Sequence, residues 1–296
     1  MHKSLSRAGV ALMLGSSLGS QTGAAIGALA FPVLGPVGVV AVRQWVAGVI
    51  LLAVGRPRLR TFGRREWLPV LAMAAVFAVM NVSLYTAIDR VGLGLGVTLE
   101  FLGPLAVALV GARRSSTRRT PTTVCALLAG AGVVMLTRPQ PTTDYVGVAF
   151  GLLAAVCWAG YILLNRTLGR RLPGVEGSAA AGALSALVYV PVGIGVLIAH
   201  PPTVAALVCA VVAGVLSSVV PFLFDLLALR RVPAHTFGIF MSLSPVFAAT
   251  IGAAFLGEAL AVVDWLAIGL IVGTNVAAVL VTPAAVAARI EEPVPA

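Results

Sequence analysis

Three ionisable side chains lie inside long apolar stretches of the sequence. Arg43, Glu100 and Asp225 each have mostly apolar neighbours, and Glu100 is the only charged residue between Arg90 and Arg113. A charge at the centre of a bilayer costs about 2.5–3.5 kcal/mol on insertion scales, so such groups usually face the protein interior or a water-filled cavity. These three residues are therefore the first candidates for a functional site.

Arg43 and Glu100 are natural partners, because each lies near the middle of its own apolar stretch. Two interpretations stay open. The pair is a structural clamp between two helices, or both side chains line a substrate path. In the second case the planar guanidinium of Arg43 donates to a carboxylate and Glu100 accepts from an ammonium group. A zwitterionic amino acid carries both groups. A proton and the substrate ammonium would then compete for Glu100.

Neutral polar side chains in other apolar stretches could complete such a site. Trp158 and Tyr161 are three residues apart and therefore share one face of a helix. Tyr85 could equally be an anchor at the membrane interface, and Asn165 is a weaker candidate because it adjoins Arg166. The candidates for substrate binding, besides Arg43 and Glu100, are Gln21, Gln44, Asn81, Tyr85, Trp158, Tyr161, Asn165 and Ser242.

Asp225 also has two interpretations. It lies five residues before Arg230, close to the predicted end of its helix. In one interpretation it is a helix-end carboxylate that Arg230 and Arg231 screen. In the other it carries a proton or forms an inner gate, so that Glu100 and Asp225 are the candidates for coupling or gating.

The composition requires a membrane class. The chain is 59% hydrophobic and only 10% charged, with a mean hydropathy of +1.04, whereas a soluble domain carries about 25% charged residues. Stretches of roughly 20 apolar residues are long enough to cross a bilayer as a helix. Ten such stretches are predicted, at about 8–30, 36–55, 67–88, 91–112, 121–137, 146–165, 177–199, 204–228, 232–256 and 261–281. Residues 282–296 are expected to form a disordered cytoplasmic tail.

Basic residues lie almost entirely on one side of these spans. With the N-terminus inside, only Arg90 and Arg138 fall in outer loops and Arg43 falls within a span. All other Lys and Arg residues face the cytoplasm. This asymmetry follows the positive-inside rule and predicts that both termini are cytoplasmic. It also explains the net charge of +10 without nucleic acid as a partner.

The second half of the chain repeats the first. When the two halves are aligned without a gap, Pro104 aligns with Pro245 and Arg90 aligns with Arg231. Five helices are an odd number, so the second unit enters the membrane from the opposite side. The predicted fold is an all-α integral membrane protein of ten transmembrane helices, as two inverted five-helix repeats at 8–137 and 146–281. Inverted repeats are typical of alternating-access transporters.

Two prolines are predicted to kink equivalent helices of the two repeats. Pro104 and Pro245 each remove one helical hydrogen bond. Paired kinks suit a central cavity where the freed carbonyls meet water or substrate, although proline is also simply common in membrane helices. In the first helix, Gly15, Gly19, Gly23 and Gly27 recur every four residues, which predicts a smooth stripe for close packing against another helix.

Several sequence stretches resemble the EamA branch of the drug/metabolite transporter superfamily, and within it the bacterial threonine/homoserine exporter group. The resemblance covers about residues 14–281. It rests on "QTGAAIGALAFPVLGPVGVVAVR" (Gln21–Arg43), "LEFLGPLAVAL" (Leu99–Leu109), "CWAGYIL" (Cys157–Leu163), "RRVPAHTFGIFMSLSP" (Arg230–Pro245) and "LGE" (Leu256–Glu258). It implies an inner-membrane exporter of small amino acids driven by the proton gradient. The chain departs from the group at Ser244, where an acidic residue is frequent, and at Asp225, where Glu is frequent.

The residues and the resemblance together predict a secondary transporter that exports small, threonine- or homoserine-like amino acids by alternating access. The alternative within the same superfamily is an exporter of drugs or of another metabolite. A membrane enzyme is disfavoured because no HExxH motif is present and no Ser/His pair lies deep within the predicted spans, and a membrane scaffold would leave the buried charges without a role. The expected partners are a small solute, protons and membrane lipid. A homodimer stays open, and no cofactor or metal is expected.

Overall fold

The computed structural model describes residues 7–91, 93–113, 119–138, 142–256 and 261–281. Within these ranges the regular structure is helical throughout. The predicted tail at 282–296 and two residues of the "LGE" motif, Gly257 and Glu258, lie outside the described residues.

Twelve helices are found in the described part of the chain. They are α1 (Arg7–Ala28), α2 (Phe31–Gly55), α3 (Arg64–Val91), α4 (Leu93–Arg113), α5 (Arg119–Thr137), α6 (Tyr145–Arg171), α7 (Glu176–Ala199), α8 (Val204–Gly214), α9 (Val220–Leu229), α10 (Ala234–Phe240), α11 (Leu243–Leu256) and α12 (Val262–Val281). A short 3₁₀ turn, Leu59–Thr61, precedes α3. A π-helical segment, Val215–Val219, joins α8 to α9.

Five of these helical runs are long and apolar enough to cross a membrane, judged by length and composition. They are Phe31–Gly55, Arg64–Ala87, Tyr145–Arg171, Glu176–Ala199 and Val204–Leu229. Shorter apolar helices occupy Leu99–Val110, Thr123–Leu136, Thr236–Ile251 and Val262–Thr274. Together with α1, these helices coincide with the positions of the predicted spans.

The structure departs from the predicted helices at two places. The predicted ninth span, 232–256, is divided into α10 and α11 at Met241 and Ser242. Pro245 has no N–H to donate to the Met241 carbonyl, and the Ser244 N–H donates to it instead at 3.0 Å. In contrast, α4 continues through Pro104, and a kink there stays a prediction. A kink that the sequence analysis missed lies within α2 at Gly35, where φ is +63°, a conformation that glycine adopts readily.

Helix α1 packs closely against the α8–π–α9 run, as the glycine stripe predicted. A Cβ atom on Gly23 would lie 2.7 Å from the backbone nitrogen of Ser217. Gly15, Gly19 and Gly27 meet other residues of the same run. Small residues let two backbones approach in this way, and the prediction of a close helix contact is confirmed.

Candidate functional site

The guanidinium group of Arg43 lies in the interior, on α2. Its side chain is only 6% exposed. Nη1 donates to the hydroxyl of Tyr85 on α3 at 2.7 Å, and Nη2 donates to the backbone carbonyl of Ser217 in the π-helical segment at 3.0 Å. The guanidinium carbon also lies 5.9 Å from the centre of the Tyr85 ring. We call Arg43, Tyr85 and the Ser217 carbonyl the arginine site.

The predicted direct pair between Arg43 and Glu100 is wrong. In the described part of the chain, no ion pair within 4.0 Å involves either residue. Glu100 is half-buried on α4. The physical reason is helix packing, because α2 packs chiefly against α7 and α8 whereas α4 packs against α5, α6 and α10.

A cavity lies beside the arginine site, between α2 and α3. Its volume is about 160 Å³, far above the roughly 10–15 Å³ of probe volume that one water needs. Tyr85 lines this cavity and also accepts the hydrogen bond from Arg43. The lining is mostly apolar, and consists of Pro36, Val37, Val40, Val82, Tyr85 and Thr86.

Asp225 forms a second buried polar centre, where α1, α6 and α9 meet. The residue is 4% exposed. Its carboxylate accepts a hydrogen bond from Ser16 Oγ at 2.5 Å and another from the Tyr161 hydroxyl at 2.8 Å. We call Asp225, Ser16 and Tyr161 the aspartate site.

The neighbouring arginines do not pair with Asp225. Arg230 donates to the Leu172 carbonyl and Arg231 to the Leu227 carbonyl, at 2.7 and 2.8 Å. No ion pair of Asp225 occurs among the residues that the structure describes. In this structure Arg230 and Arg231 therefore do not screen Asp225 by pairing with it directly.

Aromatic rings separate the two sites. Phe77 of α3 and Phe222 of α9 stack with centroids 3.9 Å apart, and Tyr161 packs against both at 5.9 and 6.2 Å. Asp225 follows Ser217 by eight helical steps, about 12 Å at 1.5 Å per residue, and Phe222 falls within that interval. The arginine and aspartate sites thus lie on either side of a packed apolar layer.

The structure brings together some of the predicted polar residues and not others. Tyr85 joins Arg43, and Tyr161 joins Asp225. Ser242 is buried and its hydroxyl donates to the Ile239 carbonyl. Gln44 donates to the Phe77 carbonyl, Trp158 packs against the main apolar core, and Gln21 and Asn81 are half-buried outside both sites.

Ser16, Ser217 and Pro221 were missed as site residues. Two hydroxyl residues and a proline within apolar stretches are individually common, so composition alone did not distinguish them. The signal that could have found Ser217 is its spacing of four residues before Pro221, since a proline leaves the carbonyl four residues earlier without its helical donor.

Comparison with known proteins places the chain among transporters. The model of the EamA-like transporter family matches residues 145–280. A protein of Escherichia coli (strain K12) named "Threonine/homoserine exporter RhtA" is 33% identical over 277 residues, covering 92% of this chain and 91% of that protein. Its Salmonella typhimurium (strain SL1344) namesake is 34% identical over 266 residues, covering 88% and 87%. The names describe exporters and not enzymes.

A solved structure shares the fold. It is described only as a crystal structure of a protein, and it superimposes with a TM-score of 0.77 over 92% of this chain and 97% of that chain. The sequence identity is 19%, so this likeness concerns the fold alone.

Proposed function

We propose that this multi-pass membrane protein, which belongs to the EamA-like transporter family, exports small amino acids such as threonine or homoserine across the bacterial inner membrane. The family and the exporter relatives support the class of protein. The threonine- or homoserine-like substrate is carried over from relatives that share about a third of their residues with this chain.

The proposed architecture is ten transmembrane helices in two inverted five-helix repeats, 8–137 and 146–281, with both termini cytoplasmic. Reciprocal packing supports this proposal. Helix α1 packs against α9 while its proposed counterpart α6 packs against α3, and α2 packs against α8 while α7 packs against α3. Each of these two contacts thus has a partner contact with the halves exchanged. Two such halves can exchange conformations and so expose one site to each side in turn.

The observation that carries the proposed substrate class is the buried guanidinium of Arg43. Among the residues that the structure describes, it donates only to neutral acceptors, the Tyr85 hydroxyl and the Ser217 carbonyl. A buried charge without a counter-ion is costly, and a substrate carboxylate would supply the counter-ion. Glu100 would accept the substrate ammonium, with Gln21, Asn81, Trp158 and Ser242 as further candidates along the path.

Proton coupling is proposed for Glu100 and Asp225. Asp225 is held by one donor from α1 and one from α6, which are counterparts in the proposed repeats. Binding or release of a proton there would change both hydrogen bonds at once and so bias the relative position of the two halves. Protons and lipid are then the partners besides the solute, and a homodimer stays open.

The experiment is transport of radiolabelled threonine into vesicles reconstituted with the purified protein. Arg43→Ala is expected to lower transport by about 100-fold, the loss of two hydrogen bonds to a charged group. Arg60→Ala removes an exposed arginine and is the matched control. Threonine transport by Arg43→Ala at the native rate would contradict the proposed site.

The apolar lining of the cavity favours a second candidate, the export of drugs or of another apolar metabolite. A panel of amino acids and lipophilic cations, each tested as a competitor of threonine transport, separates the two. Competition by the cations without competition by homoserine would favour the alternative.

A further inference from the structure

Pro221 lies in the α8–π–α9 run, four residues after Ser217, and is buried. In a regular α-helix the N–H of one residue donates to the carbonyl four residues earlier. Ser217 lies in the π-helical segment, where the Val220 N–H donates to the Val215 carbonyl five residues earlier. Because Pro221 has no N–H, the Ser217 carbonyl lacks an α-helical donor. Instead, Arg43 Nη2 donates a hydrogen bond to that carbonyl at 3.0 Å.

The same arrangement recurs elsewhere in the protein. Pro69 lies within α3, four residues after Arg65. The Arg65 carbonyl accepts a hydrogen bond from Arg171 Nη1 at 2.7 Å. In both places a carbonyl that a proline has freed accepts from an arginine of another helix. The Arg65 carbonyl lies about 30 Å along α3 from Tyr85, at 1.5 Å per residue, and so far from the arginine site.

We propose that Pro221 is a positioning residue for substrate binding, acting through Arg43; this inference rests on the proposed function. A guanidinium group is planar, with its donors in a rigid fork. Holding Nη2 on the Ser217 carbonyl therefore fixes the direction of Nη1, which points to Tyr85 at the cavity wall.

An entering carboxylate would replace the Tyr85 hydroxyl at Nη1, because hydrogen bonds between ionised partners are about twice as strong as neutral ones. Val37, Val40 and Val82 line the adjoining space. An apolar wall offers a charged side chain no partner. The arrangement therefore selects small carboxylates whose side chains are uncharged.

The test variant is Pro221→Ala, which restores an N–H four residues after Ser217. The restored donor competes with Arg43 for the carbonyl and favours a regular helix over the π-helical segment. We expect KM for radiolabelled threonine to rise about tenfold with Vmax retained, the effect of one hydrogen bond to a charged group. Inhibition by threonine amide, which has no carboxylate, is expected to stay unchanged.

Pro69→Ala is the matched control, since it makes the same chemical change at a carbonyl held by Arg171. Its KM should equal the native value. An unchanged KM in Pro221→Ala, an equal rise in Pro69→Ala, or equal weakening of threonine and threonine amide would each overturn the positioning role.

A symmetric gel-filtration peak would show that Pro221→Ala still folds. A second variant tests the same inference independently of Pro221. Arg43→Lys keeps the charge but lacks the fork that holds the carbonyl and the carboxylate together. Arg43→Lys is expected to raise KM by a similar factor. Adding Pro221→Ala to Arg43→Lys should raise KM no further, because both changes act on the same interaction. A native KM in Arg43→Lys, or an additive effect in the double variant, would overturn the inference. Failure of the proposed function has a separate signature, which is native transport by Arg43→Ala.

Discussion

The ion pairs among the described residues lie at helix ends and in loops, whereas the charges inside the bundle form none. The described ion pairs all join helix ends or loops, namely Arg58–Glu176 at 3.5 Å, Arg90–Asp144 at 3.0 Å and Arg138–Asp264 at 2.5 Å. The arginine of each pair is 43–73% exposed in its side chain. Arg43 and Asp225 are buried, yet each is held by neutral groups alone among the described residues.

This difference is the opposite of what stability alone would favour. An exposed ion pair contributes about 0–1 kcal/mol, because water solvates both members well. An interior charge gains most from a counter-ion and loses most without one. Under the proposed function, the missing counter-ions are transient, because the substrate carboxylate visits Arg43 and a proton visits Asp225. The following predictions test that interpretation, beginning with the largest effect.

Asp225→Asn should remove proton coupling. The amide has nearly the same size but cannot exchange a proton, so threonine accumulation driven by a pH gradient should fall to the level of vesicles without protein. Threonine-for-threonine exchange, which needs no net proton movement, should persist. Asp144→Asn, at an exposed helix end, is the control and should transport normally. Gradient-driven accumulation at the native level in Asp225→Asn would show that this buried carboxylate, like the exposed ones, has no role in proton coupling.

Gly23→Leu should destabilise the protein by about 1–3 kcal/mol, the usual cost of inserting extra volume into a packed interior. Even a Cβ atom at this position would meet the Ser217 backbone at 2.7 Å, so α1 must move away from the run that carries both buried sites. The thermal midpoint in detergent measures the effect. Gly269→Leu is the control, because a Cβ there meets nothing within 4 Å. Equal midpoints for the two variants would mean that close packing of α1 does not enclose the interior charges.

Tyr161→Phe should cost about 1 kcal/mol, the net contribution of one hydrogen bond. The ring and its contacts with Phe77 and Phe222 are kept, while the hydroxyl that donates to Asp225 is lost. Thermal unfolding compared with Tyr145→Phe, where the side chain is exposed, measures the difference. A loss no larger than that of the control would show that Asp225 does not depend on its neutral donors.

Asp144→Asn should have the smallest effect, and one that depends on pH. The Asp144 carboxylate accepts from the Gly147 N–H at 2.9 Å and pairs with Arg90. Chiefly the backbone hydrogen bond holds the pKa of Asp144 below its usual range. Because folding lowers this pKa, the charged carboxylate stabilises the folded protein at pH values above the unfolded pKa of about 3.9. This stabilisation is lost as the pH falls through the folded pKa.

The native protein should therefore exceed Asp144→Asn in thermal midpoint at pH 7 by a small margin. The margin should begin to shrink near about pH 4 and vanish once the pH falls below the folded pKa. Asn keeps the helix cap, so the comparison isolates the charge. A margin that grows on acidification would contradict the assigned sign.

Much of the candidate site was predictable because polar atoms are conspicuous in apolar stretches. Arg43, Tyr85, Tyr161 and Asp225 were all identified on that ground, and the structure joins them in two pairs. The partners of each were not predictable. Arg43 and Glu100 share a mid-span position in the sequence, but α2 and α4 pack against different neighbours, and sequence position carries no information on that choice.

The sequence by itself determined the membrane class, the placement of the helices and the smooth face of α1. These follow from hydropathy, length and residue size, which are properties of local stretches. Only the tertiary structure decided that the Ser217 carbonyl meets Arg43, that Ser16 and Tyr161 meet Asp225, and that Phe77 and Phe222 separate the two sites. These contacts join residues far apart in the chain, so they depend on how helices pack, and packing is a property of the whole bundle.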